Sequence, residues 1–225
     1  MVTDNRRINM MLRTSLRVGL FTLFAFITLA LASVTYSQTA QEPPAGAVEP
    51  GSDFQKAHES FLKKDFKASA AEIRKGSDFL KKETEATSDE GKKALTASAQ
   101  ELDKLADSVE KGAVKSDKEL KGAFSRAEHA LANNYYLKAS DSWARKETKE
   151  TGYALKSAAE HLEQAENWSG HKLEAGTTEA IKEGREVSSK LVQGTGYVAE
   201  EVRKGLKDIG EEISRVGKNI LPGKK

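Results

Sequence analysis

The sequence contains no cysteine, and that absence closes several functional classes. Disulfide staples, thiolate-ligated zinc or iron–sulfur centres and thiol catalysis each need a sulfur that this chain lacks. Proline is nearly as scarce. Pro43, Pro44 and Pro50 share one stretch, QEPPAGAVEPG, and the fourth proline is Pro222, so the long run from Gly51 to Leu221 contains none. Methionine occurs only at positions 1, 10 and 11, which leaves the body of the chain without any oxidisable sulfur. What is present is charge and small apolar residues. With 38% hydrophobic residues, 17 glycines and a mean hydropathy of -0.59, the chain has material for a lean core and is not disordered throughout.

The amino terminus has the order of an export signal. Arg6, Arg7, Arg13 and Arg17 stand against a single Asp4, and Val18–Ala32 then runs fifteen residues without a charge. Ala30-Leu31-Ala32 supplies the small-x-small site of a signal peptidase, so residues 1–32 read as a signal peptide and the chain as periplasmic or secreted. Extended through Val34, the same run has seventeen apolar-leaning residues, the lower limit of a span, and an inner-membrane anchor over 18–34 is the alternative. Removing residues 1–32 takes away four positive charges and one negative. The remainder has 32 basic and 33 acidic residues, a net of -1. Nucleic-acid binding, which needs a basic excess, loses its support.

Residues 33–51 read as a proline-rich tether and the rest as all-helical. Capping boxes at Ser52–Gln55, Thr87–Glu90 and Ser116–Glu119 mark helix starts, while Gly112 and Gly170 mark stops. Apolar residues recur at helical spacing, as in Leu95, Ala99, Leu102, Leu105 and Val109, then Leu120, Phe124, Ala127 and Leu131. His58–Lys75 aligns with His129–Lys146 through His, Lys-Ala-Ser and Arg-Lys at an offset of 71. Leu95, Ala99 and Leu102 match Leu155, Ala159 and Leu162 at an offset of 60. The expectation is an antiparallel bundle over 52–171 built by internal duplication, with halves at 52–112 and 116–170. Lys63-Lys64-Asp65-Phe66 and Ala132-Asn133-Asn134-Tyr135 each read as a polar step between helical stretches. In that respect each half resembles tetratricopeptide-type hairpins and is similar to the YfdX family of periplasmic helical proteins. The resemblance covers about thirty residues per half. It implies partner binding or a stress-related role and carries over no catalytic residue.

The tail, 172–225, carries the sharpest pattern. Projected down a helix axis, Val187, Leu191, Val198, Val202, Leu206, Ile209, Ile213, Val216 and Ile220 share one narrow arc. Every charge from Lys182 to Lys218 falls outside that arc, on the other side of the helix. A single helix from Thr177 to Ile220 would be about 66 Å long and must protrude, bend or meet a partner, with Gly194-Thr195-Gly196 as the bend. The stripe is expected to pack on another helix, within the chain or between copies, and these nine apolar residues are the expected interaction face for a protein partner or a second copy, or alternatively for a lipid surface.

Candidate chemistry is thin. Four histidines, His58, His129, His161 and His171, are the available metal ligands, and His58 and His129 occupy matched positions in the proposed repeat, so a metal or haem held by that pair is the alternative function. None has a glutamate three residues before it, which removes the di-iron bundle pattern. Trp143, Trp168, Tyr135, Tyr136 and Tyr153 read as core before pocket. Nucleophile elbow, phosphate loop and His-Glu-x-x-His motifs are missing, and the expected class is a non-enzymatic interaction, scaffold or stress module with no cofactor.

Overall fold

The computed structural model describes residues 50–221. The expected signal or anchor and most of the tether lie outside the described residues. Seven helices follow one another: α1 (Pro50–Leu62), α2 (Phe66–Glu83), α3 (Asp89–Glu110), α4 (Asp117–Ala144), α5 (Thr148–Ser169), α6 (Ala175–Gln193) and α7 (Ala199–Ile220). A 3-10 turn at Thr84–Ala86 joins α2 to α3, and no strand occurs among the described residues. Each helix packs on the next through a short connection, which gives the all-α bundle of hairpins that the periodicity predicts.

Local chemistry sets the boundaries. Ser88 Oγ accepts from Gly91 N at 3.4 Å and Ser116 Oγ from Lys118 N at 3.1 Å, so α3 and α4 start at capped serines. The cap of α3 is Ser88 rather than Thr87. Helix α1 begins at Pro50, two residues before the expected cap Ser52, because a proline at the first helical position has no amide to leave unsatisfied. Pro50 and Gly51 thus belong to α1.

Of the courses open to the tail, the chain takes the bend expected at Gly194-Thr195-Gly196, and the tail is two helices: Gly194 and Gly196 take φ of 74° and 75°, the left-handed region that glycine reaches without a Cβ penalty, and the chain folds back so that α7 packs on α6. One further expectation is corrected. The two stretches aligned as a repeat differ in structure. Lys63–Asp65 is a turn, whereas Ala132–Tyr135 lies inside the unbroken 28 residues of α4.

Helix α4 is the axis of the fold, touching α1, α3, α5 and α7. One apolar core gathers Phe54, Ile73, Leu80, Leu102 and Phe124 from α1 to α4. The other gathers Leu155, Leu162, Leu191, Ile209 and Val216 from α5, α6 and α7, with Ala132 and Ala139 of α4. The tail is therefore half of a core and belongs to the same compact unit as the bundle. Glycines let neighbouring helices approach closely. A Cβ on Gly217 would lie 2.7 Å from His129 Nε2, and one on Gly152 would lie 2.9 Å from the Ser188 carbonyl.

Candidate functional site

A line of polar side chains follows one face of α4 between the two cores. Glu128, Tyr135 and Lys138 are separated by seven and three residues, which places them on one side of a helix. Glu128 is fully buried, and its Oε2 lies 2.6 Å from Nδ1 of His161 on α5, itself 4% exposed. The Tyr135 ring stacks on the His161 imidazole with centroids 5.3 Å apart and planes 6° from parallel. Lys138 Nζ stands 5.0 Å over the Tyr135 ring and donates to Glu83 Oε2 at 2.7 Å. Buried Asn134 donates to the same carboxylate at 3.4 Å and accepts from the Thr87 hydroxyl. A connected track thus runs from the end of α2 to the first turn of α1. There Glu128 Oε1, which has no hydrogen-bond partner, would sit 3.6 Å from a Cβ on Gly51. That oxygen lies beside the first turn of α1, the end of a helix at which negative charge is favoured.

The chemistry of this track is that of a pin. A histidine and a carboxylate in contact can hold or exchange a proton. Both side chains are at most 5% exposed, so a substrate reaches them only if α4 and α5 separate. Sequence reading passed over this pair. The signal was there: Glu128 is a lone acid beside Ala127, Ala130, Leu131 and Ala132, a stretch otherwise fit for a core.

A second cluster clips the end of α7. Arg215 reaches Glu174 at 2.8 Å, Glu212 at 2.9 Å and Glu166 at 3.5 Å, and it also bonds the Thr177 hydroxyl. Burial pushes the Glu166 carboxyl above its ordinary range, and the Arg215 charge opposes that shift. Between α5 and α6 lies an open groove of about 270 Å³ edged by Leu173, Ile181 and Arg185, whose guanidinium crosses to Glu163 at 2.6 Å.

The expected site residues are placed as follows. His58 Nε2 lies 3.3 Å from Asp117 Oδ2, and its ring meets Trp168 edge-on at 5.7 Å. His129 Nε2 donates to the Ile213 carbonyl at 2.8 Å, and burial holds its imidazole below the usual histidine range. The two face different partners, α4 in one case and α7 in the other. Among the described residues no group of three or more histidines and carboxylates is arranged to hold a metal. Of the nine residues expected as an interaction face, Val187, Leu191, Val202, Leu206, Ile209, Ile213 and Val216 are buried within the chain. Val198 is 65% exposed in the turn, and Ile220 is half-buried. The stripe is thus covered by α4, α5 and the facing helix of the hairpin rather than displayed, because folding back at Gly194–Gly196 turns it onto the bundle. No helix of the described residues is long and apolar enough to cross a membrane.

Comparison with protein-family models, with curated proteins and with solved structures found no match for this chain. Its function has to be argued from its own residues.

Proposed function

We propose that the chain is a non-enzymatic, exported helical module that acts by binding protein, and that the α6–α7 hairpin is the element it exchanges with a second copy. The construction of that hairpin supports the reading. It carries a continuous apolar stripe and is tied to the bundle at small residues and rim ion pairs such as Arg185–Glu163. Residues 170–174, a five-residue connection containing Gly170 at φ 74°, form the hinge on which it could swing into another bundle. Exchange reproduces every buried contact in the partner copy, so it needs no new surface.

A disulfide lock tests this. A Cβ at Gly184 lies 3.8 Å from that of Ala159, the mean separation across a disulfide, and the chain has no other cysteine. Native mass spectrometry of the exported protein should show dimers. An A159C/G184C monomer, isolated and oxidised so that the disulfide closes within one chain, should stay monomeric, and its reduction should restore the dimer, whereas oxidation of the dimer should link the two copies covalently. A native protein that is monomeric at every concentration, a monomer locked in this way that still dimerises, or an oxidised dimer whose copies separate on denaturation would sink the reading.

A further inference from the structure

We infer that the end of the bundle formed by the α1–α2 turn and the α3–α4 loop is a docking surface for anionic phospholipid. The two connections are neighbours. A Cβ on Gly112 would lie 3.8 Å from the Phe66 ring, and His58 near the end of α1 contacts Asp117 at the start of α4. Six lysines meet there: Lys63, Lys64 and Lys67 from the first connection, Lys111, Lys115 and Lys118 from the second. All six are exposed, and none makes an ion pair among the described residues. Lys115 Nζ donates to the Gly112 carbonyl, at 2.9 Å.

The nearby acids do not neutralise them. Glu110 is held by Arg74 at 2.7 Å, Asp117 is held by Lys121 at 2.7 Å, and Asp65 accepts from Ala68 N at 3.0 Å. Setting the six lysines, Arg74 and Lys121 against Glu59, Asp65, Asp107, Glu110, Asp117 and Glu119 leaves +2 at this end. Residues 33–225 carry -1 in total, so the rest of that chain carries -1 minus +2, or -3. Such a molecule is polarised, and a negative surface orients it with this end foremost.

Leu62 distinguishes a bilayer from other polyanions. It is 60% exposed and stands immediately before Lys63-Lys64, where Lys64 takes a φ of 61° as the chain reverses. An apolar tip ringed by lysines can enter the headgroup boundary while the ammonium groups stay with the phosphates. Single-stranded nucleic acid would call instead for exposed aromatic stacking platforms. This surface is built from α1 to α4 and does not depend on the exchange proposed above.

The absence of cysteine makes the test direct. An environment-sensitive fluorophore is attached at Leu62→Cys, or at Val198→Cys as a control, and the protein is titrated with phosphatidylcholine vesicles with or without phosphatidylglycerol. This local readout reports on the tip whether or not residues 18–34 anchor the chain. The expected result is a blue shift at position 62 on phosphatidylglycerol vesicles alone. In a K63Q/K64Q/K111Q/K115Q background, affinity should fall about fivefold per lysine, more than a hundredfold together, with unchanged helicity. An equal shift on neutral vesicles, a shift confined to position 198, or an unaffected lysine variant would overturn the inference. So would an equal shift with a single-stranded 20-mer DNA.

Discussion

Gly152→Ala is the sharpest probe of how α6 rests on α5. A Cβ built there would stand 2.8 Å from Val192 Cγ2, 2.9 Å from the Ser188 carbonyl oxygen and 3.0 Å from Leu191 Cβ, where ordinary contact starts at 3.4 Å. Side chains can rotate, but the Ser188 carbonyl belongs to the backbone of α6 and moves only with the helix. Relief of about 0.5 Å therefore has to come from α6 as a body, and overpacking of this kind costs about 1–3 kcal/mol. Alanine recovers about 1 kcal/mol over glycine inside a helix, so the net loss should be about 0–2 kcal/mol. Gly122→Ala is the control. There the nearest atom, at 3.3 Å, is the end of the flexible Arg126 side chain, so the helix-propensity gain should survive as about 0.5–1 kcal/mol of added stability. The two variants should differ by about 0.5–3 kcal/mol, or about 1–12 °C in Tm for a domain of this size, measured by thermal and urea denaturation followed by circular dichroism. A Gly152→Ala protein as stable as Gly122→Ala would show that α5 and α6 do not pack this closely.

Three other outcomes follow from the same contacts. His161→Phe should cost about 3–5 kcal/mol in urea denaturation by leaving Glu128 buried without its donor, whereas E128L/H161F should lie near the native stability; equal losses in both would refute the pin. His129 has its folded pKa below its unfolded one, so its contribution is fully present above about 6.5 and is lost as pH falls through the folded value. His129→Gln should flatten the stability profile between pH 8 and pH 5, and an unchanged slope would refute that role. The oxidised A159C/G184C lock closes 184 minus 159, or 25, residues, which should add about 3.5 kcal/mol by loop entropy; a Tm equal to that of the reduced form would mean strained geometry at the α5–α6 contact.

Much of the fold is legible in the residues because its signals are local. Ser116, Gly112 and Gly170 stand where α4 starts and where α3 and α5 stop, since capping and left-handed termini are properties of a few neighbouring atoms. Helix α4 was harder. Asn133-Asn134 reads as a break, yet the Asn134 amide finds Glu83 and its oxygen finds Thr87, so the helix continues through a residue whose polar groups are satisfied by distant parts of the chain. The tail is legible in part, since Gly194-Thr195-Gly196 marks its bend. A helical projection keeps its phase across the turn at 194–198, so the stripe looks continuous whether the chain runs straight or folds back. The Glu128–His161 pair spans 33 residues, and only the antiparallel packing of α4 on α5 brings it together.

The buried stripe also sets what the hairpin can do. Seven of its side chains are at most 8% exposed, and each contributes about 1.5–3 kcal/mol by burial. Baring them would cost about 10–20 kcal/mol, which equals or exceeds the whole stability of an ordinary domain. A hairpin that opened into water, or lay free while awaiting a lipid surface, would unfold the second core with it. Exchange between two copies avoids that cost, because α4 and α5 of each copy receive the other's α6 and α7 and no stripe stays uncovered at equilibrium. The barrier is another matter, since the transition must pass through a partly opened state. Dimers should therefore form slowly, faster with heat or mild denaturant, and once formed persist on dilution. A dimer that equilibrated within seconds at room temperature would have to use a surface other than this stripe.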